Sequence, residues 1–401
     1  MTPNSKDLSN SKETSTHTAD PRTLLAHGGR DPQSFNGFVN TPIHRGSTIL
    51  ARDLGAWLDN ASNPHARYGR FGSPTTRSLE DIVARLEGGF RSIVFPSGLA
   101  ACCHALMSVL KSGDHILITG SVYGPVRIFA DEVLKRFDIN VTYYDPLVGG
   151  NIRNLMQPNT RAVYVESPGS WSFEVQDIPA IAHEAHLAGA FVIMDNSWAS
   201  PLFFQPFAHG VDISVQAATK YLVGHSDALL GVATASEAAW PLLQRGAYDF
   251  GQTAGPDDMF LTLRGIRTLD VRLQRHWETG LLLAESLLDY KIVKRVMHPA
   301  LPQDPGYTLW KRDFTGASGL FGVILHPVED RVVHALFERL KLFGIGLSWG
   351  GFESLMVLAD KAVPGVDRGG GHIIRIHAGL ESAADLVEEM REAFCYACSI
   401  A

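Results

Sequence analysis

Strands that are apolar on both faces constrain this chain more than any other feature. Residues 190–194 read Ala-Phe-Val-Ile-Met, and His115–Thr119 carries Ile-Leu-Ile at its centre. Such strands have no face to give to water, so they belong in a sheet covered by helices on both sides. Further short strands are expected at 92–95, Asn140–Tyr144, 161–166 and 211–215. Helical spacing fills the gaps between them. Leu79, Ile82, Val83 and Leu86 form one stripe, stopped by Gly88-Gly89. A buried helix is expected over 99–110, another opens at Pro125 and ends near Phe137, and a third covers 178–188 before Gly189. Glycine ends helices and proline fits their first turn, so the breaks agree with the periodicity. The alternation predicts an α/β fold on a mainly parallel sheet. From about Gly265 the pattern changes. A long helical stretch over 266–288 precedes strands near 319–325 and Ile373–His377, which predicts a smaller α+β domain. No internal repeat of fixed period is present.

The chain has 401 residues, enough for two domains. Its 45% hydrophobic and 19% charged content is that of a globular protein. No apolar run approaches the roughly 18 residues needed to span a bilayer. A net charge of −7 argues against nucleic acid as a main partner. The four cysteines, Cys102, Cys103, Cys395 and Cys398, form no disulfide framework and suit a reducing cytoplasm. Cys395 and Cys398 make a C-x-x-C, but no second pair completes a zinc site, and the pattern lies in an expected helix. Residues 1–21 are polar and read as a flexible tail. They lack the apolar centre of a secretory signal, and Asp7, Glu13 and Asp20 speak against a transit peptide.

In open α/β sheets, ligands bind at the carboxyl ends of strands. The residues there are Ser97-Gly98, Tyr123, Asp195-Asn196 and Thr219-Lys220. Alone, Asp195 reads as a cap and Lys220 as a surface charge. Together, a carboxylate and a lysine on two strand ends of one sheet meet the demands of pyridoxal phosphate. The lysine binds the aldehyde, and the carboxylate keeps the pyridine nitrogen protonated. Gly98 opens a helix after a strand, where backbone N–H groups bind phosphate. Tyr123 could stack on a planar ring or be a half-buried core residue. Tyr68 and Arg70, in a Gly-rich segment, could supply a hydroxyl and a cation to phosphate or be an exposed loop. Arg375 lies in an apolar run and needs an anion, either a substrate carboxylate or a structural glutamate. No metal site is expected. His183 and His186 do not make a His-Glu-x-x-His motif, and Gly369-Gly370-Gly371 lacks the Lys-Ser/Thr of a phosphate-binding loop.

From about Leu24 to its C-terminus the chain resembles the Cys/Met-metabolism branch of the fold type I (aspartate aminotransferase-like) pyridoxal phosphate enzymes, and within it the cystathionine β-lyases. The resemblance rests on YGRFGSPT at 68–75, LEGG at 86–89, FPSGLAA at 95–101, ESPGS at 166–170, IMDNSWA at 193–199, QAATKYLVGHSDALLG at 216–231, WKRDFTGASGLF at 310–321 and SWGGFESL at 348–355. It implies a large cofactor domain with a seven-stranded sheet over 73–265 and a smaller C-terminal domain over 266–401. It also implies an N-terminal arm over 22–72 that completes the neighbouring subunit's site.

The resemblance also implies residue roles. Lys220 is the Schiff-base lysine and moves the Cα proton. Asp195 pairs with the pyridinium nitrogen, and Tyr123 stacks on the ring. Gly98, Leu99 and Thr219 hold the phosphate. Tyr68 and Arg70 reach the phosphate of the neighbour, in a homotetramer built from dimers. Ser348 and Arg375 bind the substrate carboxylate, with Trp349 beside them. Trp349 is the residue of bacterial-type β-lyases, where γ-lyases and synthases usually carry leucine. Leu347 stands where some β-lyases have tyrosine, and Ala218 where relatives often have serine. The expected reaction cleaves cystathionine to homocysteine, pyruvate and ammonia, with cystine or cysteine as further substrates. Two alternatives stay open: a γ-lyase, γ-synthase or sulfhydrylase of the same branch, and a non-catalytic protein of this fold acting as a sensor.

Overall fold

The computed structural model describes residues 20–59, 63, 65, 67–359, 363, 366 and 369–401. Most of the expected tail lies outside them; Asp20 already caps a helix, Pro21–His27. Seven strands build the first sheet: β1 Arg91–Phe95, β2 His115–Thr119, β3 Asn140–Tyr144, β4 Thr160–Glu166, β5 Phe191–Asp195, β6 Ile213–Gln216 and β7 Gly231–Ala235. Their order is β1-β7-β6-β5-β4-β2-β3. Strands β2 to β6 pair in parallel, and β7 runs antiparallel to both β6 and β1. The expected mainly parallel, seven-stranded α/β sheet is therefore what forms.

Both faces of this sheet are dry. Along β4, Val163 and Val165 join one core with Leu79 and Ile82, while Ala162 and Tyr164 join a second with Phe95 and Leu106. Successive side chains of a strand point to opposite faces, so β4 is a wall between two cores. This is the physical reason its sequence is apolar throughout.

The second sheet contains β8 Val293–Met297, β9 Leu320–Leu325, β10 Leu355–Leu358 and β11 Ile373–His377, in the order β10-β11-β9-β8. Every pair is antiparallel. Helices Leu269–Ser286 and Ala383–Ile400 cover one face, where Leu283, Leu386 and Phe394 meet Phe321, Ile374 and Ile376. Arg375 and His377 alternate with Ile374 and Ile376, and so point to the other face.

Three elements differ from expectation. The stretch 266–288 is not one helix: Pro256–Ile266 ends there, and Leu269–Ser286 follows. Arg267 sits at the break and donates to the carbonyls of Leu25 and Gly28 at 2.6 and 2.8 Å, tying the first helix to the domain. The helix opening at Gly124 widens into a π turn over Ala130–Leu134. Strand β7 is Gly-Val-Ala-Thr-Ala and carries too little bulk to stand out in the sequence.

Candidate active site

The ends of β2, β4, β5 and β6 converge on a cavity of about 420 Å³. Asp195 closes β5 and lies in register with Glu166 at the end of β4. The Ser197 N–H donates to Asp195 Oδ1 at 2.9 Å, and the Cys102 thiol approaches Oδ2 at 3.7 Å. Burial pushes the Asp195 carboxyl up, and these two donors oppose that. Burial, then the neighbouring Asp195, push Glu166 well above the usual carboxylate range. Glu166 Oε2 accepts the Tyr123 N–H at 2.7 Å. That bond fixes the turn after β2, from which the Tyr123 ring lines the cavity.

Across the cavity, Ser97 caps the helix Gly98–Val109, its hydroxyl accepting the Ala100 N–H at 3.1 Å. The N–H groups of Gly98 and Leu99 come first in the helix and have no partner four residues back. Both residues line the cavity. A Cβ at position 98 would lie 2.7 Å from the Ala217 Cβ, so only glycine lets the helix come this close to the chain leaving β6.

Lys220 follows β6 by four residues. Its Nζ donates to Ser348 Oγ at 2.5 Å and lies 5.2 Å from the centroid of Trp349. Burial, then the nearby Arg375, lower its pKa to about 8. Ser348, at φ +89°, belongs to the loop before β10. Gly350, two residues on, has φ +86°, and a Cβ there would stand 2.9 Å from the Lys220 carbonyl carbon. Trp349 packs on the buried Tyr221, with ring centroids 5.4 Å apart. Arg375 Nη2 donates to the Ser348 carbonyl at 3.4 Å. Arg375 makes no ion pair among the described residues, and burial pulls its pKa down to about 10. Among the described residues, no glutamate pairs with it, the structural partner that sequence left open.

The structure thus gathers Gly98, Leu99, Tyr123, Asp195, Thr219, Lys220, Ser348, Trp349 and Arg375 around one cavity. The Thr219 hydroxyl donates to the Leu230 carbonyl at 3.2 Å and accepts the Leu230 N–H at 2.9 Å, so it ties the chain leaving β6 to the residue before β7. Tyr68 and Arg70 do not line this cavity. Tyr68 is exposed, and Arg70 donates to the Tyr248 carbonyl at 3.2 Å beside a separate cavity under the arm. His186 is hydrogen-bonded to Asp212 at 2.9 Å. Among the lining residues that escaped the sequence reading are Cys102, Glu166, Trp171 and Ser197. Glu166 had a signal, its place at a strand end beside Asp195; the others reach the cavity from a helix interior or from loops.

Residues 22–395 match the family of Cys/Met metabolism PLP-dependent enzymes. The chain is 43% identical over 396 residues to a putative cystathionine beta-lyase of Rhizobium johnstonii, covering 97% of this chain and 99% of the relative. It is 38% identical to cystathionine beta-lyase MetC of Escherichia coli, covering 93% and 97%. In three dimensions it is similar to cystathionine gamma synthase from Xanthomonas oryzae pv. oryzae, solved in complex with aminoacrylate and cysteine. The TM-score is 0.89 at 28% identity, over 96% of this chain and 100% of that one. A lysine, a carboxylate, an aromatic ring and a helix N-terminus around one cavity are the groups such a cofactor requires, and the chain belongs to the Cys/Met metabolism PLP-dependent enzymes.

Proposed function

We propose that this chain is a carbon–sulfur β-lyase that splits L-cystathionine, with water, into homocysteine, pyruvate and ammonia. The observation that carries the reading is the 2.5 Å contact of Lys220 Nζ with Ser348 Oγ, beside Trp349 and Arg375. The residues fit pyridoxal phosphate. Gly98 removes the Cβ that would push the helix N-terminus away, and the N–H groups of Gly98 and Leu99 face the cavity for its phosphate, with Thr219 beside them. Asp195, which accepts the Ser197 N–H and faces the Cys102 thiol, would be the partner for its pyridine nitrogen, and Tyr123 would supply a stacking face. Bound there, the cofactor supplies a sink for the electrons of the Cα–H bond.

The chain's own residues do the rest. Arg375 holds the substrate's α-carboxylate through its planar fork. Lys220 Nζ takes the Cα proton, and its lowered pKa leaves part of the amine neutral near pH 7. Ser348 Oγ fixes the direction of the Nζ lone pair. Removal of one carbon proton suffices for β-elimination, whereas γ-elimination requires a second, at Cβ. Trp349 stands against Lys220 and limits the room for that second transfer. The product assay decides: pyruvate from cystathionine supports β-cleavage, and 2-oxobutyrate supports a γ-lyase instead. Running cystine and cysteine alongside ranks the substrates.

A homotetramer of dimers, with Tyr68 and Arg70 serving the neighbour's phosphate, is part of this proposal. It is supported by the exposure of Tyr68 and by the run of exposed Phe38, Val39, Leu50, Leu54 and Leu58 on the arm. A cytoplasmic setting is proposed on the four free cysteines. No helix among the described residues is long and apolar enough to cross a membrane.

A further inference from the structure

The loop after β4 lines the cavity with Trp171 and Phe173. It is pinned at several points. The Gly169 N–H donates to the Glu174 carbonyl and the Phe173 N–H to the Gly169 carbonyl, both at 3.0 Å, and the Ser170 N–H donates to the Ser121 carbonyl at 2.9 Å. Within it, Trp171 is held at φ +66° and Phe173 at φ +58°. Bulky side chains rarely adopt this left-handed region, and glycine would enter it freely. Such strain persists only where surrounding contacts over-determine it, and it concentrates at functional sites.

What the strain secures is visible at Arg375. Its Cζ lies 4.6 Å from the centroid of the Trp171 ring. Met297 and Phe173 fill the space at Gly322, the residue opposite Arg375 in the β9–β11 register; a Cβ on Gly322 would lie 2.6 Å from Met297 Cε and 2.9 Å from Phe173 Cε2. The same loop thus sets one aromatic on the arginine and another against the strand beside it. Of the five N–H donors of that arginine, one meets a protein acceptor among the described residues, the Ser348 carbonyl.

We propose that Trp171 is a positioning and specificity residue: its indole face holds the Arg375 guanidinium in place of a protein carboxylate and keeps its hydrogen-bond fork open for the substrate's α-carboxylate. This rests on the reading of Arg375 given above and deepens it. A protein carboxylate would hold the guanidinium equally well, but it would occupy the fork and repel an incoming carboxylate. An aromatic face attracts the cation through its quadrupole and takes none of its donors. The consequence is selection of amino acids over the corresponding amines.

The test uses two small ligands titrated into the pyridoxal phosphate-loaded enzyme, with dissociation constants read from the visible absorbance of the cofactor. L-alanine carries the α-amino and α-carboxyl groups, and ethylamine carries the amine alone. Trp171→Leu keeps apolar bulk but loses the quadrupole. It is expected to weaken L-alanine roughly tenfold and to leave ethylamine unchanged, and Trp171→Phe is expected to restore L-alanine to within about threefold of the wild type. Equal weakening of both ligands, or of neither, overturns the proposal. Arg375→Leu is run beside them. If it too spares L-alanine, the reading of Arg375 fails and takes this inference with it. If it weakens L-alanine while Trp171→Leu does not, only the role of Trp171 is lost.

Discussion

Lys220 Nζ and Ser348 Oγ, 2.5 Å apart, join the strand ends of the first sheet to a loop of the second domain. Neither side chain has another hydrogen-bond partner among the described residues, so each is oriented by the other. Hydrogen bonds to charged groups contribute about 1.5–3 kcal/mol, which is roughly a 10- to 100-fold effect on rate. Ser348→Ala should lower kcat/KM for cystathionine by that factor, measured as keto acid released. An unchanged rate would remove Ser348 from the mechanism.

In the role proposed for Lys220, its amine is neutral when it captures the aldehyde of the cofactor. Burial and Arg375 bring its pKa to about 8. Uptake of pyridoxal phosphate by apoprotein should rise about tenfold per pH unit below that value and level off above it. An ordinary lysine, with a pKa of about 10.4, would keep rising past pH 9. Stopped-flow absorbance between pH 6 and 10 separates the two curves.

Gly350 lets the Ser348 loop rest on the backbone of Lys220. A methyl group there would collide with the Lys220 carbonyl carbon and Cα at 2.9 and 3.0 Å, at a φ that alanine adopts at a cost. Gly350→Ala should destabilise the fold by about 1–3 kcal/mol, read from the urea midpoint, and should also move Ser348 away from Lys220. Stability lost with full activity retained would show that the loop tolerates the shift.

Glu166 is driven toward its neutral form by burial and by Asp195. If neutrality is its working state, Glu166→Gln keeps an oxygen for the Tyr123 N–H and should change cofactor affinity by less than about threefold. Glu166→Ala leaves that N–H without its acceptor, at about 1–3 kcal/mol, and should weaken pyridoxal phosphate by roughly 10-fold or more. Equilibrium dialysis of both variants decides. A large loss in the glutamine variant would mean that the charge matters.

Tyr68 does not line the cavity of its own chain. Mixed assemblies of Lys220→Ala and Tyr68→Phe chains should therefore regain activity that neither parent possesses, because one site per mixed dimer is free of both changes. Failure of hybrids to recover, with mixed assembly verified by mass, would place Tyr68 outside the neighbour's site.

Much of this arrangement was legible in the residues. Strand β2 was legible because it is buried from end to end and its Ile-Leu-Ile centre leaves no face for water. Asp195 and Lys220 were legible for a related reason: parallel sheets present ligands at carboxyl ends. Strand β7 was hidden because small residues suffice between two neighbours that supply the bulk. The partners of Arg267 at the break were hidden because the carbonyls of Leu25 and Gly28 lie more than two hundred residues away in sequence. Trp171, Ser197 and Cys102 reach the cavity through tertiary approach alone, and no local pattern marks them. The empty acid side of Arg375 is the sharpest case: sequence demanded an anion, and the protein answered with an aromatic face.

The contact between Gly98 and Ala217 has one more consequence. It presses the helix N-terminus against the segment that leads, three residues later, to Lys220. The span from the Gly98 and Leu99 amides to the Lys220 backbone is thereby set by backbone packing, and the lysine stem covers the remainder. The protein is built as a caliper. A ligand that reaches from one jaw to the other must match that frame to within the reach of the lysine stem.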